Sequence, residues 1–94
     1  MSERVACCVP FCRRTTKHDC SEWICGPHWM AVPSRLRRRK YRLFRLYKKR
    51  FGSNSFWVYP AGSSNRIMAV KLDRLCAKAW DRCKAAAIET AGGI

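Results

Sequence analysis

Acidic residues are scarce in this sequence. Only 6 of the 94 residues are Asp or Glu, against 20 Lys or Arg, so the formal net charge is +14. No two carboxylates have the spacing of a general acid–base pair, and His18 and His28 are the only histidines. We therefore predict that the chain is not an enzyme. The scattered carboxylates are Glu3, Asp19, Glu22, Asp73, Asp81 and Glu89.

Long hydrophobic runs are also missing. No stretch approaches the roughly 20 apolar residues of a membrane-spanning helix, and the first residues lack the apolar core of a secretory signal. We therefore expect a cytoplasmic chain with no membrane partner. In a reducing compartment the seven cysteines favour metal binding over disulfides. With 48% hydrophobic residues the chain can form one small domain, whose modest core a metal would supplement.

Two short pairs of metal-binding residues lie near the N-terminus. Cys8 and Cys12 have three residues between them, Cys25 and His28 have two, and 12 residues separate the pairs. Together they form a Cys₃His set, which is a complete tetrahedral shell for zinc. A closed shell of four ligands stabilises a fold and leaves no position for a substrate. The sequence therefore predicts a structural Zn²⁺ site.

The ligand set has alternatives. Cys7 can replace Cys8, and His18 or Cys20 can also enter the set. A reduced, metal-free cysteine cluster or an iron–sulfur site is a further possibility, although the histidine disfavours iron–sulfur. In a treble-clef arrangement a knuckle and hairpin carry the first pair and a helix start carries the second. Residues 13–24 can supply the hairpin, but Pro33 separates the second pair from the strongest helical pattern.

Residues 34–51 have the pattern of an amphipathic helix whose polar face is entirely cationic. Ser34 is a good N-cap and Gly52 suits a helix end. Residues 35–50 carry ten basic residues and no acid, hence +10, whereas all six acids offset the other ten basic residues and leave +4. The apolar side holds Leu36, Leu43, Phe44, Leu46, Tyr47 and Phe51. The cations Arg35, Arg38, Arg42, Arg45 and Lys49 recur every three or four residues along the opposite side.

A second helix is predicted for residues 65–90, after a connector at 52–64. Ser64 or Asn65 can cap it, and Phe56–Tyr59 in the connector has strand propensity. Its apolar stripe can pack on the apolar side of the basic helix. We therefore predict a small α-rich (α+β) domain, in which a zinc knuckle at residues 1–33 precedes two packed helices. The stripe consists of Met68, Leu72, Leu75, Cys76, Ala79, Trp80, Cys83 and Ala87.

The cationic side of the basic helix predicts contact with a polyanion. Arginine binds phosphates in bidentate fashion and can read guanine edges, so nucleic acid is the expected partner, with DNA favoured over RNA. Tyr41 and Phe44 can stack on bases if the target is single-stranded. A basic amphipathic helix can also bind membrane surfaces, which the neighbouring zinc module disfavours. An acidic protein surface is the remaining alternative.

Both ligand pairs, together with Trp23, Trp29 and the run from Val32 to Arg37, resemble small zinc-finger proteins of tailed phages and prophages. The resemblance covers about residues 7–50, and residues 52–94 lie outside it. It implies a treble-clef or ribbon-type finger followed by a basic helix, in a phage-encoded protein of the host cytoplasm. The alternative function is then inhibition or redirection of an acidic host protein, such as a nuclease, a polymerase or a defence protein.

Overall fold

A computed structural model describes residues 4–18 and 20–92 of the chain. The predicted extent of the domain, residues 1–94, reaches beyond these ranges. The chain forms a small helix-rich fold with one two-stranded sheet, so the predicted α-rich class is confirmed. The elements are β1 (Val5–Ala6), β2 (Thr15–Thr16), α1 (Gly26–Ala31), α2 (Ser34–Phe51), a 3-10 turn (Phe56–Val58) and α3 (Ser64–Ala91).

The two strands form a hairpin earlier in the chain than the sequence predicts. β1 and β2 are antiparallel, with Val5 opposite Thr16, and the N–H of Cys7 donates to the carbonyl of Arg14 at 3.0 Å. The hairpin therefore spans residues 5–16 and not 13–24. The chain reverses between Val9 and Cys12, where the Cys12 N–H donates to the Val9 carbonyl at 3.2 Å. This reversal returns Cys12 towards Cys7.

A proline separates the first two helices. α1 begins directly after Cys25, with Pro27 in its first turn, a position where proline favours helix initiation. Pro33 ends the run, because the residue before a proline is pushed to extended backbone, and Val32 has φ −68° and ψ 134°. Ser34 is the first residue of α2 and not its N-cap, a position that Pro33 occupies. At the other end Gly52 has φ +64°, the left-handed region that favours glycine.

The segment between α2 and α3 differs from prediction in two details. Phe56–Val58 forms a 3-10 turn and not a strand, closed by the Val58 N–H donating to the Ser55 carbonyl at 3.1 Å. The N-cap of α3 is Ser63, one residue before the predicted candidates Ser64 and Asn65. Its hydroxyl accepts from the backbone N–H of Arg66 at 3.3 Å.

Helices α2 and α3 pack as an antiparallel pair with a hydrophobic cluster at each end. Phe51, at the end of α2, packs with Ala69 and Leu72, near the start of α3. At the other end Cys83 of α3 and Leu36 of α2 belong to the cluster that contains the N-terminal cysteines. The N-terminal segment is thereby joined to the open end of the helix pair.

Small residues form most of the contact face of α3. The predicted stripe is largely observed, but Met68 and Leu75 are each 37% exposed, and Ala69 is fully buried in their place. Small side chains let two helices approach closely, so the larger neighbours move to the edge of the contact. Cys76 and Cys83 are buried in this face as small core residues. The buried residues of α3 are Ala69, Leu72, Cys76, Ala79, Cys83 and Ala87.

One lysine of α2 lies among aromatic rings. The Nζ atom of Lys40 is 4.3 Å from the ring centre of Phe44, and this lysine is half-buried. An ammonium over an aromatic face is attracted by the ring quadrupole. Because the rings come from α1, α2 and α3, the contact ties the three helices together. The other distances from Nζ to ring centres are 5.2 Å for Tyr41, 5.7 Å for Trp29 and 5.9 Å for Trp80.

We expect Lys40→Met to destabilise the protein by about 1–2 kcal/mol, the range of a partly desolvated cation–π contact. Methionine keeps the length of the side chain and removes its charge. Lys49→Met, at an exposed position of the same helix, is the matched control. It removes one charge from a strongly cationic chain and should be neutral or slightly stabilising. Urea unfolding measures both, and equal midpoints would show that the rings contribute nothing.

Glu22 connects the segment before α1 to the C-terminal half of α3. Its carboxylate accepts from Lys84 Nζ at 2.7 Å and from Trp80 Nε1 at 3.1 Å. The hydrogen bond from Lys84, followed by that from Trp80, lowers the pKa of Glu22 below its usual value. The Nζ atom of Lys84 also lies 3.8 Å from Oδ1 of Asp81. These two contacts of Lys84 are the ion pairs found among residues 4–18 and 20–92.

None of the helices in the described part of the chain is long and apolar enough to cross a membrane.

Candidate metal centre and cationic helix face

Four metal-ligating atoms converge beside the hairpin. They belong to Cys7, Cys12, Cys25 and His28 and all lie within 4.8 Å of one another. The Sγ atoms of Cys12 and Cys25 are 3.9 Å apart, and His28 Nδ1 lies 3.1 Å from Cys25 Sγ and 3.6 Å from Cys7 Sγ. In a tetrahedral site with metal–sulfur bonds of about 2.3 Å, the sulfurs lie roughly 3.8 Å apart. The cluster therefore has the dimensions to hold one metal ion.

Two structural elements supply the ligands in pairs. Cys7 and Cys12 lie in the hairpin between β1 and β2, while Cys25 is the N-cap of α1 and His28 lies in its first turn. Cys25 is fully buried and Cys7 nearly so. The backbone N–H of Cys25 also donates to Cys7 Sγ at 3.4 Å. This hydrogen bond holds the Cys7 sulfur next to Cys25.

The structure replaces one predicted ligand. It brings Cys12, Cys25 and His28 together, but the fourth member is Cys7 and not the predicted Cys8. Side chains alternate between the two sides of an extended chain, so neighbouring cysteines point in opposite directions. The Cys8 N–H donates to the Trp23 carbonyl at 2.8 Å, and Cys8 Sγ lies 4.0 Å from a carboxylate oxygen of Glu22.

The alternation of residues around Cys7 agrees with this choice, although the spacing to Cys12 does not distinguish Cys7 from Cys8. Val5, Cys7 and Val9 are spaced two apart, as expected for the inner side of an extended segment, and Cys7 and Val9 are buried. At the same spacing from Cys8 lie Ala6 and Pro10, which are both exposed. The other two alternatives, His18 and Cys20, lie outside the cluster. Cys20 Sγ instead donates to the backbone carbonyl of His18 at 3.6 Å.

The surroundings of the cluster favour an ionised Cys25. Burial raises the pKa of the Cys25 thiol, but hydrogen bonds from the backbone N–H of His28 and from the Arg14 guanidinium outweigh burial and lower the pKa to about 7. The pKa of Cys12 is raised, since the lowering effect of the Arg14 backbone N–H is exceeded by burial and the neighbouring thiols. Of these two thiols, Cys25 therefore ionises more readily than Cys12.

The predicted cationic stripe lies along the exposed side of α2. Its five members are all exposed, and none forms an ion pair with a carboxylate of the described residues. Their charges are therefore available to a partner. The members are Arg35, Arg38, Arg42, Arg45 and Lys49.

The remaining cations of α2 differ in exposure. Arg39 is exposed and lines one surface depression with Arg35, Arg38 and Arg42, so sequence reasoning missed one neighbour of the stripe. Arg37 is half-buried, and its Nε donates to the Val32 carbonyl at 3.0 Å. Arg37, like Lys40 among its aromatic rings, therefore stabilises the fold.

Several aromatic residues are accessible near this helix. Tyr41 and Phe44, the predicted stacking residues, are each a little over 40% exposed. Trp57 and Val58, in the 3-10 turn, are 71% and 62% exposed. Trp23 and Trp29 pack against the cluster of buried residues around the cysteines.

Comparison with models of protein families, with curated proteins and with solved structures finds no match to this chain. The resemblance to zinc-finger proteins of tailed phages therefore stays a prediction.

Proposed function

We propose that this chain is a zinc-stabilised protein that binds nucleic acid without catalysing a reaction, and that the stripe on α2 contacts the phosphates. The observation that carries the proposal is the stripe itself, five exposed cations along one helix with no acidic partner among the described residues. Binding of such a surface to a nucleic acid backbone is favourable because its cations release the counterions condensed on the phosphates.

Zinc is the metal that the donor set favours. Three thiolates and one imidazole suit zinc in tetrahedral coordination. The four side chains complete that shell, so the ion would stabilise the fold and offer no position to a substrate. The arrangement, with two ligands from a hairpin and two from a helix start, supports a treble-clef type of finger. Cys7, Cys12, Cys25 and His28 would hold the ion.

The metal site and the stripe are coupled through a short connection. Only Val32 and Pro33 separate α1 from α2, and Val32 is buried in the same cluster as Cys7 and Cys25. Leu36, in the first turn of α2, packs against that cluster as well. An ion that fixes the start of α1 therefore also fixes the direction in which α2 leaves the N-terminal segment.

The dimensions of the stripe suit a duplex. From Arg35 to Lys49 the helix rises about 21 Å, at 1.5 Å per residue. The major groove of B-form DNA admits an α-helix, whereas that of A-form RNA is deep and narrow. These dimensions support DNA as the preferred partner. Contacts to phosphates carry little sequence information, so we expect low sequence specificity.

Titration of a fluorescently labelled DNA duplex, followed by anisotropy, tests the proposal directly. We expect saturable binding that weakens steeply as salt increases, because each phosphate contact releases counterions. A parallel titration with the RNA duplex of the same sequence tests the preference for DNA. Absence of binding to both duplexes, and to a single strand of the same DNA sequence, at low salt would refute the proposal.

A second candidate function is supported by the exposed apolar residues of the 3-10 turn. Trp57 is the kind of residue that occupies the centre of protein interfaces, and Val58 adds exposed apolar surface beside it. The chain, encoded by a phage, would then bind an acidic host protein and inhibit or redirect it. Capture of partners from host lysate after nuclease treatment separates the two functions. A protein that is retained without nucleic acid supports the second function, whereas loss of every partner supports the first.

A further inference from the structure

An open groove lies between α2 and α3, next to the stripe. Its volume is about 610 Å³, within the range of small-molecule sites. Aromatic rings from both helices form its walls, and Cys76 and Ala77 of α3 also line it. The aromatic residues are Phe44, Tyr47 and Trp80.

Each aromatic wall is held in place by a contact outside the groove. The hydroxyl of Tyr47 donates to the carbonyl of Asn54 at 2.8 Å, and Trp80 Nε1 donates to Glu22 at 3.1 Å. The ring of Phe44 lies beneath the ammonium group of Lys40. A ligand that enters the groove therefore meets rings that are already oriented, which lowers the entropic cost of binding.

The charged groups of the groove favour an anionic ligand. Arg45 and Lys48 line it from α2, and neither forms an ion pair within the described part of the chain. Among the described residues that line the groove, Asp73 is the one acidic residue. Arg45 is also a member of the stripe, so the groove and the phosphate-binding surface share a residue. A flat aromatic group joined to a phosphate matches the rings and these cations together.

We propose that the groove receives one unpaired base of the nucleic acid whose backbone lies on the stripe. The base stacks on the aromatic walls, the adjacent phosphate contacts Arg45 and Lys48, and Asp73 accepts a hydrogen bond from an amino group of the base. The inference rests on the proposed function and adds that the preferred target contains unpaired nucleotides.

Filling the groove tests the inference without removing a charge. Ala77→Trp places a large side chain in the groove from an exposed position of α3. Ala85→Trp is the matched control, because Ala85 is also exposed on α3 but does not line the groove. The probes are a labelled single strand of about 20 nucleotides and the duplex that it forms with its complement.

We expect Ala77→Trp to weaken binding of the single strand roughly tenfold, the effect of losing one base–aromatic stack. Binding of the duplex should stay within about twofold, since the stripe is intact. The duplex result also shows that the variant is folded. Ala85→Trp should leave both affinities unchanged.

An unchanged affinity of Ala77→Trp for the single strand would overturn the inference and leave the proposed function standing. If the wild-type protein bound neither probe, the proposed function itself would fail. If Ala77→Trp instead lost a nuclease-resistant partner from lysate while keeping the single strand, the groove would be a protein-docking site, which also overturns the inference.

Photo-crosslinking gives an independent measurement. A single strand that carries 5-iododeoxyuridine should crosslink to the aromatic walls of the groove, and mass spectrometry locates the modified residue. Crosslinks at Phe44, Tyr47 or Trp80 support the inference. Crosslinks confined to Trp57 would place the unpaired base on the 3-10 turn and overturn it.

Discussion

Replacing Cys7 with serine is expected to abolish stoichiometric zinc binding, whereas replacing Cys8 with serine is expected to preserve it. The two residues are adjacent and chemically identical. A difference between the two variants therefore reports only which side chain points into the cluster. Cys7 lies in the four-membered cluster, while Cys8 Sγ faces a carboxylate oxygen of Glu22 at 4.0 Å. Serine preserves the size of the side chain but is a much poorer zinc ligand than a thiolate.

The expected effect is large because structural zinc and folding are linked. In zinc-finger peptides the binding free energy has apparent values of roughly 10–16 kcal/mol, and most of it stabilises the folded state. Even a fraction of that free energy would exceed the stability of a small N-terminal segment. We therefore expect Cys7→Ser to lose the ordered conformation of residues 5–18 and 20–31. Near-ultraviolet circular dichroism measures the loss, because Trp23 and Trp29 contribute two of the four tryptophan signals.

Elemental analysis of protein prepared under reducing conditions measures the metal directly. The wild-type protein and Cys8→Ser should contain about one zinc ion per chain. The reverse result, with zinc lost from Cys8→Ser only, would restore Cys8 as the ligand. A wild-type protein without stoichiometric metal, whose fold is insensitive to a chelator, would show that the cysteines form a reduced thiol cluster.

The double substitution of Arg38 and Arg42 by alanine is expected to reduce the salt dependence of DNA binding. Each phosphate contact contributes about 0.9 to the slope of log affinity against log salt, so five contacts give a slope of roughly −4.5. Removal of two should bring the slope to about −2.7, a change of about 2. Alanine preserves the helix, so the change reports lost contacts and not lost structure.

Substitution of Arg74 and Lys78 by alanine is the matched control. These residues are exposed on α3 and carry the same two charges, but they lie outside the stripe. Net charge falls equally in both variants, so a general effect of charge would change both slopes alike. Anisotropy titrations at several salt concentrations provide the slopes. If the slope changed only for the variant on α3, the nucleic acid would bind that helix, and the stripe on α2 would not be the contact surface.

Local signals in the sequence predicted the two long helices well, but not the short helix α1, which ends before Pro33. Pro33 ends one helix and precedes the next, and Gly52 adopts a positive φ at the end of α2. The cations of the stripe are exposed together, as their spacing predicts. These features depend on residues within one or two helical turns of one another. The sequence of each helix therefore predicts them without knowledge of the segments that pack against it.

Which cysteine faces the cluster was a different kind of question. Cys7 and Cys8 have the same chemistry, and both spacings to Cys12 are compatible with zinc. The choice depends on the pairing of Val5 with Thr16, because that register sets which side of the strand faces inward. The register in turn depends on residues that lie about ten positions away in the chain. Spacing alone therefore could not separate the two cysteines.

The functions of individual cations likewise depended on packing. In the sequence Lys40 and Arg37 belong to the same basic run as the stripe. In the structure Lys40 lies among aromatic rings of three helices, and Arg37 donates a hydrogen bond to the carbonyl of Val32. The periodicity of a single helix places residues on a side but does not say which neighbour will cover that side.

By itself the sequence determined the donor types of the candidate metal site, the two long helices and an unneutralised run of positive charge, since composition and short-range backbone preference are enough for these. Only the tertiary structure decided that Cys7 is the fourth member of the cluster, that Lys40 is enclosed by aromatic rings, and that a groove opens between α2 and α3. Each of these depends on contacts between segments distant in the chain, and such contacts are formed when the segments pack.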